Sequence, residues 1–214
     1  MFITKFGHCC LLIEEKGVRI LTDPGSYTTA QDALKDIDVV LITHEHQDHF
    51  HVPSVKKILE NNPEVVIITN TSVCNLLAKE GIKNVKIVDD GNNFSVKDLN
   101  FEAFGKDHAV IYKEMGLVEN TGYFIDEKLF YPGDAFFNPQ KIVEILAVPF
   151  AGPWMKISEA IDYVLTVKPK KCFAVHDGGL NPSGQGFSKR VAPQIFKNEG
   201  IEFIPLEINT ETEF

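Results

Sequence analysis

Asp38-Val39-Val40-Leu41-Ile42-Thr43-His44-Glu45-His46-Gln47-Asp48-His49 is the stretch on which the reading of this chain turns. Its first half is a continuous apolar run of strand length, the mark of a strand covered on both faces. Its second half sets three histidines and an aspartate within six residues, at H-x-H-x-D-H spacing. From the chain's own His and Asp content, chance would give that pattern roughly once in two thousand such sequences, so it is read as metal-ligating and not as a solvated polar loop.

The chemistry follows from the residue types. Imidazole suits zinc and similar ions, and carboxylate adds negative charge while tolerating harder ones. A tight turn after a buried strand sends alternate side chains to different sides. His44 and His46 can then share one ion while Asp48 and His49 reach a second. One turn cannot close a coordination sphere, so further ligands must come from elsewhere in the fold. Three polar residues stand where strand-like stretches end beside glycine: His108 in Phe104-Gly105-Lys106-Asp107-His108, Asp134 in Tyr131-Pro132-Gly133-Asp134, and His176 in Ala174-Val175-His176-Asp177-Gly178. Such positions commonly carry site residues.

Working outward, Cys9 to Glu14 and Val18 to Thr22 read as strands joined by the hairpin-like Glu15-Lys16-Gly17. Helical spacing follows Pro53, with Val55, Ile58 and Leu59 on one face. A strand is expected at Val65 to Ile68, a helix near Ser72 to Lys79 closed by Gly81, and a strand at Val85 to Val88. Phe94 to Tyr131 alternates like an antiparallel meander. The remainder reads as a helix near Gln140 to Ile145, a strand at Leu146 to Pro149, a helix from about Ser158 to Val167, a strand at Lys171 to Val175 and a helix at Ser188 to Asn198. Strands that both meander and alternate with helices fit an α+β domain of two mixed sheets packed face to face with helices outside.

The length of 214 residues suits a single domain, 1–214, with a sizeable core. The net charge of −9 repels phosphate backbones, so no extended nucleic-acid partner is expected. Bound cations would restore local positive charge, leaving small-molecule substrates open, anionic ones included. No apolar stretch reaches bilayer-spanning length and the start has no signal-peptide layout, so neither membrane attachment nor export is expected and a cytoplasmic location follows. Cys9, Cys10, Cys74 and Cys172 form no C-x-x-C pair and read as reduced, structural thiols.

Several segments in order resemble the metallo-β-lactamase fold superfamily, and within it a small bacterial branch of metal-dependent hydrolases similar to ascorbate-phosphate lactonases. These are Gly7-His8 before an apolar strand, Thr22-Asp23-Pro24, the histidine segment from Thr43, Asp107-His108, Gly133-Asp134 and Val175-His176. The resemblance implies a four-layer αβ/βα sandwich with the site at one edge between the sheets. It implies two divalent metal ions, zinc foremost, with manganese, iron and nickel also accepted by such donors. By it His44, His46 and His108 hold one ion, Asp48, His49 and His176 hold the other, and Asp134 bridges them. Asp23 would orient a ligand histidine, although a strand-ending aspartate before proline also forms turns. His8 either borders the pocket or is a satisfied core histidine.

The expected reaction is hydrolysis of a small ester, lactone or phosphodiester. Two ions sharing a water would bring its pKa toward neutrality and supply hydroxide, with Asp48 as the proton donor to the leaving group. Phe137, Trp154 and Asp177 are the expected pocket residues, core packing being the competing account of the aromatics. A metal-dependent nuclease, a di-iron redox protein and a non-catalytic metal-binding protein are the alternatives. The acidic charge speaks against the first, and His46 in place of a glutamate against the second.

Overall fold

The computed structural model of the chain describes residues 1–115 and 117–214, without the side chains of 187–189. Two seven-stranded sheets face each other. The first runs β14-β1-β2-β3-β4-β5-β6, from β1 (Phe2–Gly7), β2 (Cys10–Glu15), β3 (Val18–Thr22), β4 (Val39–Leu41), β5 (Val66–Thr69), β6 (Val85–Ile87) and the returning β14 (Glu211–Glu213). The second runs β13-β12-β11-β10-β9-β8-β7, from β7 (Asn93–Val96), β8 (Leu99–Phe104), β9 (Gly122–Ile125), β10 (Leu129–Tyr131), β11 (Ile145–Pro149), β12 (Lys171–Val175) and β13 (Glu202–Phe203).

The period-2 geometry of strands explains the layering, because successive side chains leave opposite faces. On β2, Leu11 and Ile13 enter the cluster between the sheets, joined by Val39 and Leu41 of β4 and, from the second sheet, Ala147, Phe173 and Val175. The alternate residues Cys10, Leu12 and Val40 face the other way, under Val55 and Ile58 of α1 (Val52–Asn61) and Val73 and Leu77 of α2 (Thr71–Lys79). Leu146, Val148 and Cys172 likewise meet Ala160 and Val164 of α3 (Ile157–Val167) and Ala192 and Phe196 of α4 (Pro182–Asn198). The strands are apolar on both faces because both faces are covered. This is the expected four-layer αβ/βα sandwich of mixed sheets, α+β in class.

Three expectations change. Residues 140–145 form no helix: Gln140 adopts φ 55°, Ile142 is 87% exposed, and the Glu144 and Ile145 amides both donate to the Lys128 carbonyl as the chain enters β11. An amphipathic helix would have buried Ile142. The last helix starts at Pro182, six residues before the expected Ser188, because Asn181 caps it by accepting from the Gly184 amide at 2.9 Å and proline suits the first turn. The meander is real at β7 to β10, but residues 105–121 lie outside named strands, and residue 116 is not described. Among the described residues, no helix is long and apolar enough to cross a membrane.

Candidate metal centre

The parallel strands β3, β4 and β5, and β10, β11 and β12, all end at the same edge of the sandwich, where side chains beyond their carboxyl ends meet. His44 to His49 follow β4, Asp134 follows β10, His176 follows β12 and His108 follows β8, while His8 occupies the β1–β2 turn. Three residues here carry φ in the left-handed region: His8 at 48°, Asp23 at 38° and His176 at 56°. Non-glycine residues adopt that region at a cost, and such strain concentrates at functional sites.

All seven expected ligands converge. His44, His46 and His108 bring donor atoms within 4.8 Å of one another, and so do His8, Asp48, His49 and His176. Asp134 lies between the two sets, with Oδ2 3.3 Å from His108 Nε2 and 2.8 Å from His176 Nε2, and Oδ1 3.2 Å from His49 Nε2.

The tautomers can be read from the outer hydrogen bonds. His108 Nδ1 donates to the Ala109 carbonyl at 2.5 Å, and His176 Nδ1 donates to the Ala151 carbonyl. His49 Nδ1 donates to Asp23 Oδ2 at 2.7 Å. Thr43 Oγ1 donates its one proton to Asp23 Oδ2 at 2.8 Å and so accepts from His44 Nδ1 at 3.0 Å. In all four rings Nδ1 carries a proton and Nε2 points inward, free to ligate a cation once any second proton has left, the arrangement metal-ligating histidines require. His8 is the opposite case. Its Nδ1 accepts from the Gly178 amide at 3.1 Å, leaving Nε2–H to donate to Asp48 Oδ2 at 3.1 Å. His8 thus borders the cavity as a partner of Asp48.

Buried polar atoms normally find partners. His44 Nε2, His49 Nε2 and Asp134 Oδ1 have none within hydrogen-bonding geometry, and all three face the same centre. A cluster of imidazole and carboxylate donors with orphaned inward atoms fits divalent cations. The electrostatics agree. Burial pushes the His44 imidazole down and opposes charge on His49 and His176, but the Asp134 carboxylate outweighs it there, holding His176 up at about 11 and His49 well above its usual range. Burial would raise the Asp134 carboxyl, yet His49 and His176 keep it well below the ordinary range.

Asp23 is fully buried, and besides His49 and Thr43 Oγ1 it accepts from the Thr43 amide at 2.8 Å and the Tyr131 hydroxyl at 2.6 Å. Of its two readings, the structure supports the orienting one. A cavity of about 540 Å³ opens over the cluster, walled by Tyr27, Ile111, Pro153, Trp154 and Leu180. Trp154 lines it and donates from Nε1 to Asp134 Oδ2 at 3.0 Å.

The other two expected pocket residues lie elsewhere. Phe137 packs against Phe104 and the α3 side of the second sheet. Asp177 turns inward to an ion pair with the buried Lys5, 2.5 Å away. Sequence reasoning missed Lys5, and it missed Asn120, whose side chain accepts from the Asp134 amide at 3.0 Å and donates to the Pro132 carbonyl at 2.9 Å. Neither residue type marks itself in the sequence as a partner of the site, so only the fold reveals them.

A family model for the β-lactamase superfamily domain matches residues 2–176. The chain belongs to that superfamily. It is 35% identical over 191 residues to Protein Rv0786c of Mycobacterium tuberculosis, covering 87% of this chain and 88% of that one. It is 26% identical over 200 residues to a chain of Carboxydothermus hydrogenoformans named UPF0173 metal-dependent hydrolase, covering 82% and 84%. Among solved structures, Igni18, described as a metallo hydrolase of Ignicoccus hospitalis, superposes with a TM-score of 0.75 at 21% identity, covering 100% of this chain and 98% of that one. The metallo-β-lactamase fold protein YhfI of Bacillus subtilis gives 0.74 at 14% identity, with 100% and 98% covered. These two likenesses show the fold, which is the metallo-β-lactamase fold.

Proposed function

We propose that this chain is a dinuclear metal-dependent hydrolase that cleaves a small ester, lactone or phosphodiester. The observation that carries the reading is Asp134: one carboxylate touches a histidine of each donor set, as a group shared by two cations must. The name metal-dependent hydrolase on a relative that aligns over most of this chain supports it. His44, His46 and His108 would hold one ion, Asp48, His49 and His176 the other, with zinc favoured by the imidazole-rich set. Divalent ions there would lower the pKa of water toward neutrality and polarise a carbonyl or phosphoryl oxygen.

The chain's own residues supply the proton handling. Burial would raise the Asp48 carboxyl, but hydrogen bonds from His176 and His8 hold it well below its ordinary range. Ionised at neutral pH, it can take the proton that the attacking water loses at Oδ2 and pass it to the leaving oxygen. His8 Nε2–H keeps that oxygen aimed. Apolar walls beside a floor that bound divalent ions would make cationic suit a substrate with a compact anionic or carbonyl head and an apolar part. Ile111 supplies one of these walls from a segment whose Val110, Tyr112, Met115 and Leu117 are themselves exposed apolar residues. The four free cysteines are consistent with a reducing, cytoplasmic setting.

The test is stripped protein reconstituted separately with zinc and with manganese, assayed on esters, phosphodiesters, and sugar-acid lactones and their phosphates. Metal-dependent turnover of at least one class is expected. Loaded protein inactive across the panel would favour a non-catalytic metal-binding role, and a chain that takes up no transition metal would remove the reading.

A further inference from the structure

We infer that Cys9 is an additional ligand of the metal centre, donating its thiolate to the position shared by His49 and Asp134. The inference rests on the hydrolase reading for the presence of metal and goes beyond it in naming a sulfur donor.

Cys9, His49 and Asp134 form a third group whose donor atoms lie within 4.8 Å of one another, and all three residues are buried. The other two members carry the orphaned atoms: His49 Nε2 and Asp134 Oδ1 lack hydrogen-bond partners in residues that are 0% and 2% exposed. The sulfur therefore stands beside two inward-facing donors that already want a cation.

The backbone holds it there. Cys9 shares the tight β1–β2 turn with the left-handed His8, and its carbonyl accepts from Thr22 Oγ1 at 2.9 Å and lies 3.0 Å from the Tyr131 hydroxyl, whose proton goes to Asp23. Tyr131 ends the strand that leads directly to Asp134. His8 presents its side chain to the cavity above the centre, while Cys9 approaches from the apolar layer between the sheets. Cys10 faces the opposite way, under α1 and α2, and cannot substitute.

The competing account is a thiol that merely fills the inter-sheet core, as buried cysteines usually do. Packing does not require the sulfur to share a site with two unpartnered polar atoms. Ligation does, and it has a consequence: a thiolate favours zinc, cadmium and cobalt over manganese or magnesium. On binding, the Cys9 S–H proton leaves to buffer and the S–metal bond replaces it.

The full chain, stripped and reloaded with cobalt(II), tests this by absorption. A sulfur-to-cobalt charge-transfer band in the near ultraviolet is expected in the wild type and in Cys10→Ser, and its loss in Cys9→Ser. Cadmium affinity should fall at least about tenfold in Cys9→Ser while manganese affinity stays within about threefold. If Cys9→Ser does not fold, cadmium NMR of the wild type decides, since one sulfur ligand moves the resonance well downfield of an all-nitrogen-and-oxygen site. Bound cobalt without the band, a band that survives Cys9→Ser, or an upfield cadmium resonance would overturn the assignment and leave the hydrolase reading intact. Failure to bind cobalt at all would remove both.

Discussion

The Gly178 amide donates to His8 Nδ1 at 3.1 Å, and this single bond decides which nitrogen of His8 carries the proton that faces Asp48. A Cβ on residue 178 would stand 3.0 Å from His8 Cβ, 3.1 Å from its Nδ1 and 2.9 Å from the Tyr27 ring. Gly178→Ala should therefore push the two apart and free the imidazole to change tautomer. The expected result is a kcat reduced about tenfold or more with metal content unchanged. An unchanged kcat would show that the tautomer of His8 does not matter.

Asp48→Asn keeps the size of the side chain and removes its charge and basicity. Turnover should be abolished, while circular dichroism and the denaturation midpoint stay close to wild type, since Asp48 stands at the cavity edge and not in the core. Near-normal turnover would strip Asp48 of its assigned role.

Asp23 never reaches the cavity, yet it accepts the Nδ1 proton of His49 and anchors Thr43 through two bonds. Replacing it with asparagine weakens that acceptor and permits His49 to turn. Zinc affinity should fall by roughly 10–100-fold, the usual cost of losing a partner that orients a ligand histidine. Competition with a chromophoric chelator measures this directly, and an unaltered affinity would mean the ring is held by packing alone.

Two histidines predict how loading depends on pH. Against the pull of burial, Asp134 holds His176 up at about 11 and His49 above its ordinary value in the metal-free chain. Both protons must leave when cations bind, so zinc uptake at about pH 8 should release roughly two protons per chain, where a free imidazole would release almost none. Calorimetry in buffers of differing ionisation enthalpy counts them. The sign for stability follows from the folded value lying above the unfolded 6.5. The contribution to the metal-free chain is complete below that value and is lost as pH rises toward about 11. The melting temperature of stripped protein should decline across that window, and a rise would contradict the assignment.

Lys5 is 3% exposed and bonds both Asp177, at 2.5 Å, and the Ala174 carbonyl, at 2.9 Å, joining β1 to the end of β12. Lys5→Met leaves the Asp177 carboxylate buried without a counter-charge. A loss of about 3–5 kcal/mol is expected by denaturant titration. The double variant Lys5→Met, Asp177→Leu should recover part of it, because it removes the stranded charge; no recovery would place the loss in packing.

That the seven expected ligand residues would meet at one place was legible because chemistry and local geometry coincide. A buried strand must end, and where several end together the polar residue after each is visible in the chain, as with Thr43-His44, Gly133-Asp134 and Val175-His176. The layering was legible from apolar runs too continuous for a half-solvated sheet. Residues that act through distant partners were not. Nothing around Asn120 says that it clamps the Pro132 to Asp134 turn, and nothing around Lys5 says that its charge is buried. Asp177 and Phe137 were misplaced because sequence proximity to a ligand says nothing about which side of the backbone a side chain leaves. The apolar spacing at Ile142 and Ile145 imitated a helix where the chain bends on its way into β11, and Gly184 and Gly186 hid the start of α4.

His44, His46, Asp48 and His49 come from one sheet, and His108, Asp134 and His176 from the other. A cation gripped from both sides, as proposed, would be a rivet through the seam of the sandwich. Sliding one sheet over the other would tear it loose, so holding metal and keeping the halves in register become one equilibrium. Heat resistance of the chain should then climb with the logarithm of free metal concentration, and scarcity of metal would loosen the architecture along with the chemistry.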